Sequence, residues 1–541
     1  MGNVKASALR LGDDQYATLV GGRLVEFFND SAPWQRRLWD VGTCMLLDET
    51  IEAVGWRDRR VLSASAMSSL AKDLQRIVGQ DPAAGDGVMK SHLRAALQGT
   101  LLPGSRHVRS LRELSALIQE GYLRRWATRL DLEQRRPSPE RLARAVSSHL
   151  LDRGYSMPYL HRWARSLLRE KRTLGEVMES AISLAEATVK QYEVVLPFLA
   201  VPKVNMHLRD TNPAWRNASQ IREWLREYVG DPKGVRQAGG FTYTFYARDA
   251  VAAAYLGARN VERIISRSTL ANRTARHPEP EGRIWVKGYD RPILIPQKTG
   301  NALVRSLATE SLLFDLQQNT GLDDALELLA AMNASTPGPA IASGWAAIES
   351  LLVSATDPDD SKQGRGLVAG DRVATLVACS WPRADLTTLS YRHRPPAPDK
   401  LSVSLSAAPS NRERSRLIAS ALVAGKALAL KEPNDYAAEA RMLKLMKAPF
   451  ETLKDVKGHV ATAMRRLYRQ RNIVMHGGTT GTLTLEATLR TCAPLVGAAL
   501  DRITHAQLTA NVDPLQLSSK AEVGFRLLKG AKPPHVVDLL E

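Results

Sequence analysis

Apolar residues recur at steps of three and four along most of this chain, the spacing that lines one face of an α-helix. Residues 1 to about 130 follow it in LVEFFNDSAPWQRRLWDVGTCMLLDETIEAVGW and MSSLAKDLQRIVGQ, broken by glycines and prolines. The charged DLEQRR at 131–136 leads into Pro137-Ser138-Pro139, a boundary or a helix entry. From there PSPERLARAVSSHLLDRGYSMPYLHRWARSLL reads as two short helices. Ser138 can cap the first, Pro139 suits its first turn, and Gly154 can end it in a left-handed conformation. Ser156 or Met157-Pro158 starts the second, which carries Leu160, Trp163 and Leu167 beside Arg162, Arg165 and Arg169. Two helices about a glycine-containing turn fit a helix-turn-helix unit, a pattern that more often packs than reads DNA.

The middle of the chain changes period. VVLPFLAV (194–201), FTYTFYA (241–247), RIWVKGY (283–289) and PILIP (292–296) are rich in β-branched and aromatic residues, with helical patterns between them at 214–228 and 248–268. No glycine-rich phosphate loop or nucleotide fingerprint occurs there. From about 301 the helical period returns, in NALVRSLATESLLFDLQQNTGLDDALELLAAMNAS, GWAAIESLL and DRVATLVACSW, before the polar YRHRPPAPDK at 391–400. The expected fold is mainly α with a small α+β middle domain. Its parts are a helical region over 1–135, an α+β domain over 136–300 that opens with the basic hairpin, a helical bundle over 301–510, and a tail over 511–541.

Charge sharpens this picture. The 541 residues hold 74 Lys and Arg against 56 Asp and Glu, a net +18, which favours phosphate-rich partners. Residues 101–175 carry 16 basic against 7 acidic side chains, so half of the excess sits there. Hydrophobic residues make up 44% of the chain, enough for several cores, and wholesale disorder is excluded. Cys44, Cys379 and Cys492 are isolated thiols without metal-type spacing, the usage of a reducing compartment. The start, MGNVKASALRLGDD, has no apolar signal core, and Ala6 stands where a myristoylation motif wants Ser or Thr. No run of eighteen apolar residues occurs. A cytoplasmic protein without a membrane segment is expected.

The segment richest in chemistry is DVKGHVATAMRRLYRQRNIVMH, from Asp455 to His476, closed by Gly477-Gly478. Val456, Val460, Met464, Leu467 and Val474 form its apolar stripe, and Arg471 falls on the same stripe. Arginine rarely sits against a core without a counter-charge, so an acid must face it. Glu349 makes the matching anomaly on the stripe of Trp345, Ile348 and Leu352, and Arg372 and Arg471 are the candidates to answer it. Asn472 and His476, four apart, share a helical face beside Tyr468. A histidine in the last turn meets the negative end of the helix dipole, and imidazole both accepts and donates protons near neutral pH. Lys454, Lys457, Arg465, Arg466 and Arg469 flank the motif and can hold RNA backbone, Arg469 foremost. YRHRPP at 391–396 is a weaker candidate for an RNA-contacting loop. Read alone, an Arg and a His five apart are as well explained by a carboxylate neighbour and a helix cap.

GWAAIESLL, then DRVATLVA, then RRLYRQRNIVMHGG, in this order and spacing, resembles the HEPN superfamily, closest to the ApeA-like members of prokaryotic defence systems. The resemblance covers about residues 300–510. It implies a bundle of four to five helices, and in many members a metal-independent endoribonuclease that works as a dimer with a composite site. Arg471, Asn472 and His476 match the family motif of Arg, a polar residue, a spacer and His. Carried over, His476 would be general base or acid at the ribose 2′-hydroxyl or the leaving 5′-oxygen, and Arg471 would bind the scissile phosphate. Asn472 would orient the phosphate or the histidine. Glu349, Tyr468 and Arg372 would support them, with Arg465, Arg466 and Arg469 on the RNA. No metal or cofactor is called for, and a homodimer is. Two other readings remain open: a non-catalytic HEPN dimerisation scaffold, and a nucleic-acid-binding regulator built on the basic 101–175 region. The trigger or partner that would restrain such an RNase is not visible in the sequence.

Overall fold

A computed structural model describes residues 13–541, apart from 131–135, 202–210, 231–232, 272–276, 296–301, 317–320, 335 and 358–364. Residues 1–12, with the myristoylation-like start, and the charged 131–135 thus lie outside the described residues. The fold is mainly helical with one small antiparallel sheet in the middle. It divides into two compact units, one made of Met1–His149, Ala164–Ile182 and Gly300–Glu541, the other of Leu150–Trp163 and Ser183–Thr299.

In the larger unit the N-terminal helices are α1 (Asp13–Phe27), α2 (Thr43–Asp58), α3 (Ala64–Gln80), α4 (Gly87–Gln98), α5 (Arg106–Gln119) and α6 (Tyr122–Leu130). Side-chain caps start three of them, Ser63 on α3, Asp86 on α4 and Ser105 on α5, each accepting a backbone N–H two or three residues into the helix. The basic hairpin forms as α7 (Pro139–Asp152) and α8 (Met157–Arg169). Its predicted punctuation is present: Ser138 Oγ accepts from Arg141 N at 3.4 Å, and Gly154 turns the chain at φ +92°. Helix α9 (Leu174–Glu186) follows.

The smaller unit is an antiparallel sheet with a helix against each face. Strands β1 (Lys190–Ala200), β2 (Trp215–Arg216), β3 (Gly239–Ala247), β4 (Glu279–Pro280), β5 (Arg283–Val286) and β6 (Ile293–Leu294) take the order β2-β3-β1-β5-β6, with β4 also on β1. Val194 pairs Tyr243 on one side and Val286 on the other, so β1 is central. Alternation sorts its side chains. Val194, Leu196 and Phe198 pack with α11 (Ala250–Ala271), whereas Val195 packs with Trp285 and with Ile221 and Leu225 of α10 (Ala218–Val229).

The C-terminal part holds α12 (Ser306–Thr309), α13 (Gly321–Ala334), α14 (Pro337–Leu352), α15 (Arg365–Arg392), α16 (Lys400–Ala407), α17 (Asn411–Val423), α18 (Pro433–Lys447), α19 (Pro449–Gly477), α20 (Leu485–Ala510) and α21 (Pro514–Leu527). The helical period read through 301–335 breaks at Ser311, whose left-handed φ of 58° stops the chain from continuing α12. Leu313, Phe314 and Leu316 are consequently exposed. YRHRPP begins as the last turn of α15. His393 is buried there, accepting Ala429 N on Nδ1 and lying 3.3 Å from Asp399, which makes it a structural residue. Residues 511–541 show little sequence pattern, yet Phe525 and Leu528 of the α21 region, with Val536, Val537 and Leu539, join the main core.

The N-terminal helices and the C-terminal bundle form one unit because charged and close-packed contacts join them. Gly22 of α1 lies so near Pro433 that a Cβ would sit 2.8 Å from its backbone. Arg36 is buried and bonds Glu26 at 3.1 Å, Asp385 at 3.0 Å and Asp435 at 2.7 Å. Arg441 reaches Glu26 at 3.6 Å and Glu140 at 3.7 Å. Charges removed from water persist only when paired this closely.

Candidate functional site

Helix α19 carries the motif. Pro449 occupies its first turn, and Gly478, at φ 63°, ends it in the left-handed region that favours glycine. Val456, Val460, Met464 and Leu467 are buried along its length and Val474 is half-buried, so the stripe expected from the sequence faces the core. Arg471 continues that stripe at the bundle surface, with its side chain 28% exposed.

Four polar side chains converge at this end. Arg471 Nη1 donates to Asn472 Oδ1 at 3.1 Å and stands 3.4 Å from His476 Nε2. Arg471 Nη2 lies 3.9 Å from Glu349 Oε2 of α14. Of the two arginines that could answer Glu349, Arg471 is therefore the one that does. Arg372 bonds Asp357 at 2.6 Å and the Leu352 carbonyl at 2.8 Å instead. A guanidinium can only donate, so in this contact Nε2 is the acceptor and holds its lone pair toward Arg471. His476 is exposed, while Asn472 is buried at 9%. Tyr468, one turn earlier, packs its ring 5.0 Å from the buried Trp345, and Gly366 lies against the other side of that ring.

The remaining arginines of α19 have a different place from the expected RNA contacts. Arg466 and Arg469 are buried at 1% and 2%, and both meet Glu49 of α2, at 3.2 Å and 2.7 Å. Arg465 bonds Asp73 of α3 at 2.8 Å. Burial raises the Glu49 carboxyl, but Arg469 and Arg466 outweigh it and hold it below the ordinary carboxylate range. Their guanidinium groups are thus engaged in holding the N-terminal helices to the motif helix.

No protein-family model matches the chain, and comparison with curated proteins and with solved structures returns no match.

Sequence reasoning missed the N-terminal residues that flank the motif. A Cβ on Gly477 would lie 3.0 Å from the Trp56 ring of α2, and Arg59 stacks over that ring at 5.1 Å. Glu52 accepts the backbone N–H of Leu483 at 3.3 Å, in the loop that follows the motif. Glu49 carried the same signal as Glu349, an acid among Leu46, Leu47 and Ala53 on a buried face, and it was open to the same argument. Two cavities, of about 780 and 570 Å³, are lined by other residues, and His476 is exposed at the end of its helix. Among the described residues no group of three or more His, Cys, Asp and Glu is arranged to hold a metal, and no helix is long and apolar enough to cross a membrane.

Proposed function

We propose that the chain is a HEPN-type endoribonuclease that cuts RNA by attack of a ribose 2′-hydroxyl on the adjacent phosphate, without a metal. The observation that carries this reading is the convergence of Arg471, Asn472, His476 and Glu349 at one solvent-open helix end. His476 takes the 2′-hydroxyl proton as base or gives a proton to the leaving 5′-oxygen as acid, and the second histidine of a composite site or water serves the other oxygen. Arg471 sits beside it to meet the phosphate oxygens on which charge develops. Trp56 and Arg59 next to Gly477 offer a ring and a cation for the flanking nucleotide. The products are a 2′,3′-cyclic phosphate and a 5′-hydroxyl.

One Arg and one His are few catalytic groups, and an open surface suits completion by a second copy of the chain. The reading therefore includes a homodimer joined through the bundle and a role in cytoplasmic anti-phage defence or as a toxin-like RNase. A nucleic-acid-binding reading is favoured by one observation: Arg162, Arg165 and Arg169 of α8 are all exposed, while Leu160, Ala164 and Leu167 are buried. It is compatible with catalysis, as a means of holding RNA. Without catalysis, the same fold would be a dimerisation scaffold.

The test is cleavage of a labelled single-stranded RNA in EDTA by wild type, His476→Ala and Arg471→Ala. Cutting that both substitutions abolish, with folding and oligomeric state unchanged, and that a 2′-deoxy nucleotide at the scissile position blocks, supports the reading. Cutting that persists in both variants ends it.

A further inference from the structure

The larger of the two cavities, about 780 Å³, is ringed by cations. Arg36, Arg37, Arg305, Arg383, Arg392 and Arg502 line it, against three acids, Glu26, Glu310 and Asp501. Two of those acids already have basic partners: Glu26 is taken by Arg23 and Arg36, and Glu310 by His505 at 2.6 Å. The third, Asp501, accepts the Ser306 backbone N–H at 2.8 Å.

Three of the cations are already paired: Arg36 with Glu26, Asp385 and Asp435, Arg383 with Glu541, and Arg392 with Asp435 at 3.8 Å. Arg502 is half-buried on α20, and among the described residues no carboxylate forms an ion pair with it. Burial and the neighbouring Arg383 disfavour its charge and outweigh Asp501, Glu541 and Glu310, which favour it. Burial and the nearby Arg305 act in the same sense on Arg37, against Asp30, which favours its charge. Arg36, nearly fully buried, lines the same space with an Nη2 that has no hydrogen-bond partner. Like charges gathered in a concave, partly desolvated site are unfavourable unless an anion joins them. Oligophosphates match clustered guanidinium groups with several bidentate contacts at once. The volume is that of a small-molecule site and far exceeds a single inorganic ion. Trp34 adds an apolar wall.

We propose that this cavity is a binding site for an oligophosphate-bearing small molecule of nucleotide size, held chiefly by Arg502 and Arg305. The site is lined by α15, α20 and the residues before α2, and none of the motif residues reaches it. It stands whether or not the motif cuts RNA.

The experiment is isothermal titration of the full chain with pyrophosphate and with ATP at low salt, with melting curves, for wild type, Arg502→Gln and Arg305→Gln. The expected result is saturable binding of both probes, tighter for ATP, with a rise in Tm. Each substitution should weaken that binding roughly 10-fold or more, the scale of losing one charge-assisted contact. Without probe, Arg502→Gln should melt at or above wild type, because burial and Arg383 outweigh the carboxylates that favour its charge. No saturable heat for either probe, equal affinity of wild type and both variants, or equal affinity for pyrophosphate and ATP would overturn the proposal. A probe-free Tm of Arg502→Gln well below wild type would do the same, by making Arg502 structural.

Discussion

Glu49 and Arg469 are 420 positions apart in the chain and meet at 2.7 Å in the interior, with Arg466 on the other oxygen of the same carboxylate. All three side chains are at most 3% exposed. A buried pair gains little over a hydrophobic replacement, but removing one partner strands the other's charge, at a cost of roughly 3–5 kcal/mol. Glu49→Gln leaves two guanidinium groups facing a neutral amide. The unfolding free energy from urea titration should fall by about 3 kcal/mol, and the α2–α19 contact should loosen first in hydrogen exchange. A variant within about 0.5 kcal/mol of wild type would show that the pair does not hold the two helices together.

Acid should weaken the protein for the same reason. Burial pushes the Glu49 and Glu140 carboxyls up, but Arg469 and Arg466 at the first, and Arg23, Arg144 and Arg441 at the second, bring both below their ordinary values. A carboxyl depressed by folding contributes stability that is complete above its unfolded value of ~4.3 and is lost as pH falls through the folded one. Tm should therefore hold between pH 7 and 5 and fall steeply below about 4. Glu49→Gln should fall less steeply over the same acid range. Parallel curves for the two proteins would remove Glu49 from the account.

The Glu349 and Glu49 contacts of α19 differ in how far the sequence foretells them. Glu349 and Arg471 each interrupt an apolar stripe within one helical region, an anomaly that narrows the partner of Glu349 to Arg372 or Arg471, and the fold selects Arg471. The caps of the basic hairpin were legible for the same local reason, since Ser138, Pro139 and Gly154 act within a turn of where they stand. Arg466 and Arg469 pass for RNA contacts in the sequence because their partner lies on a helix more than 400 positions away. Helical period shows that a face is buried, not what covers it. The strands of the middle unit were found by their β-branched and aromatic runs, whereas pairing across β1 follows from tertiary packing that no local signal encodes.

The thiols provide a check on packing. Burial pushes the Cys379 thiol up to about 12 and that of Cys492 up to about 11. Thiolate is the reactive form, so at pH 8 neither should react with an aromatic disulfide reagent in the native protein. Both should react within the dead time once the chain is unfolded in guanidinium. Rapid native labelling of either, mapped by mass spectrometry, would mean that the core around α15 or α20 opens readily.

Glu349 gives a prediction that separates positioning from folding. It is 39% exposed and stands 3.9 Å from Arg471, so solvent weakens the pair, and Glu349→Gln should change stability by less than about 1 kcal/mol. Its effect should appear in the chemistry proposed for this site. Arg471 is held between Glu349, Asn472 and His476, and without the carboxylate it is free to swing toward solvent. A misplaced cation binds RNA about as well but no longer meets the charge that develops in the transition state. Glu349→Gln should therefore lower kcat roughly 10-fold with KM little changed, a loss of about 1.4 kcal/mol of transition-state stabilisation. His476→Ala should abolish cutting outright. An unchanged kcat would mean that Glu349 only neutralises Arg471 at rest, while a raised KM alone would place its role in binding RNA.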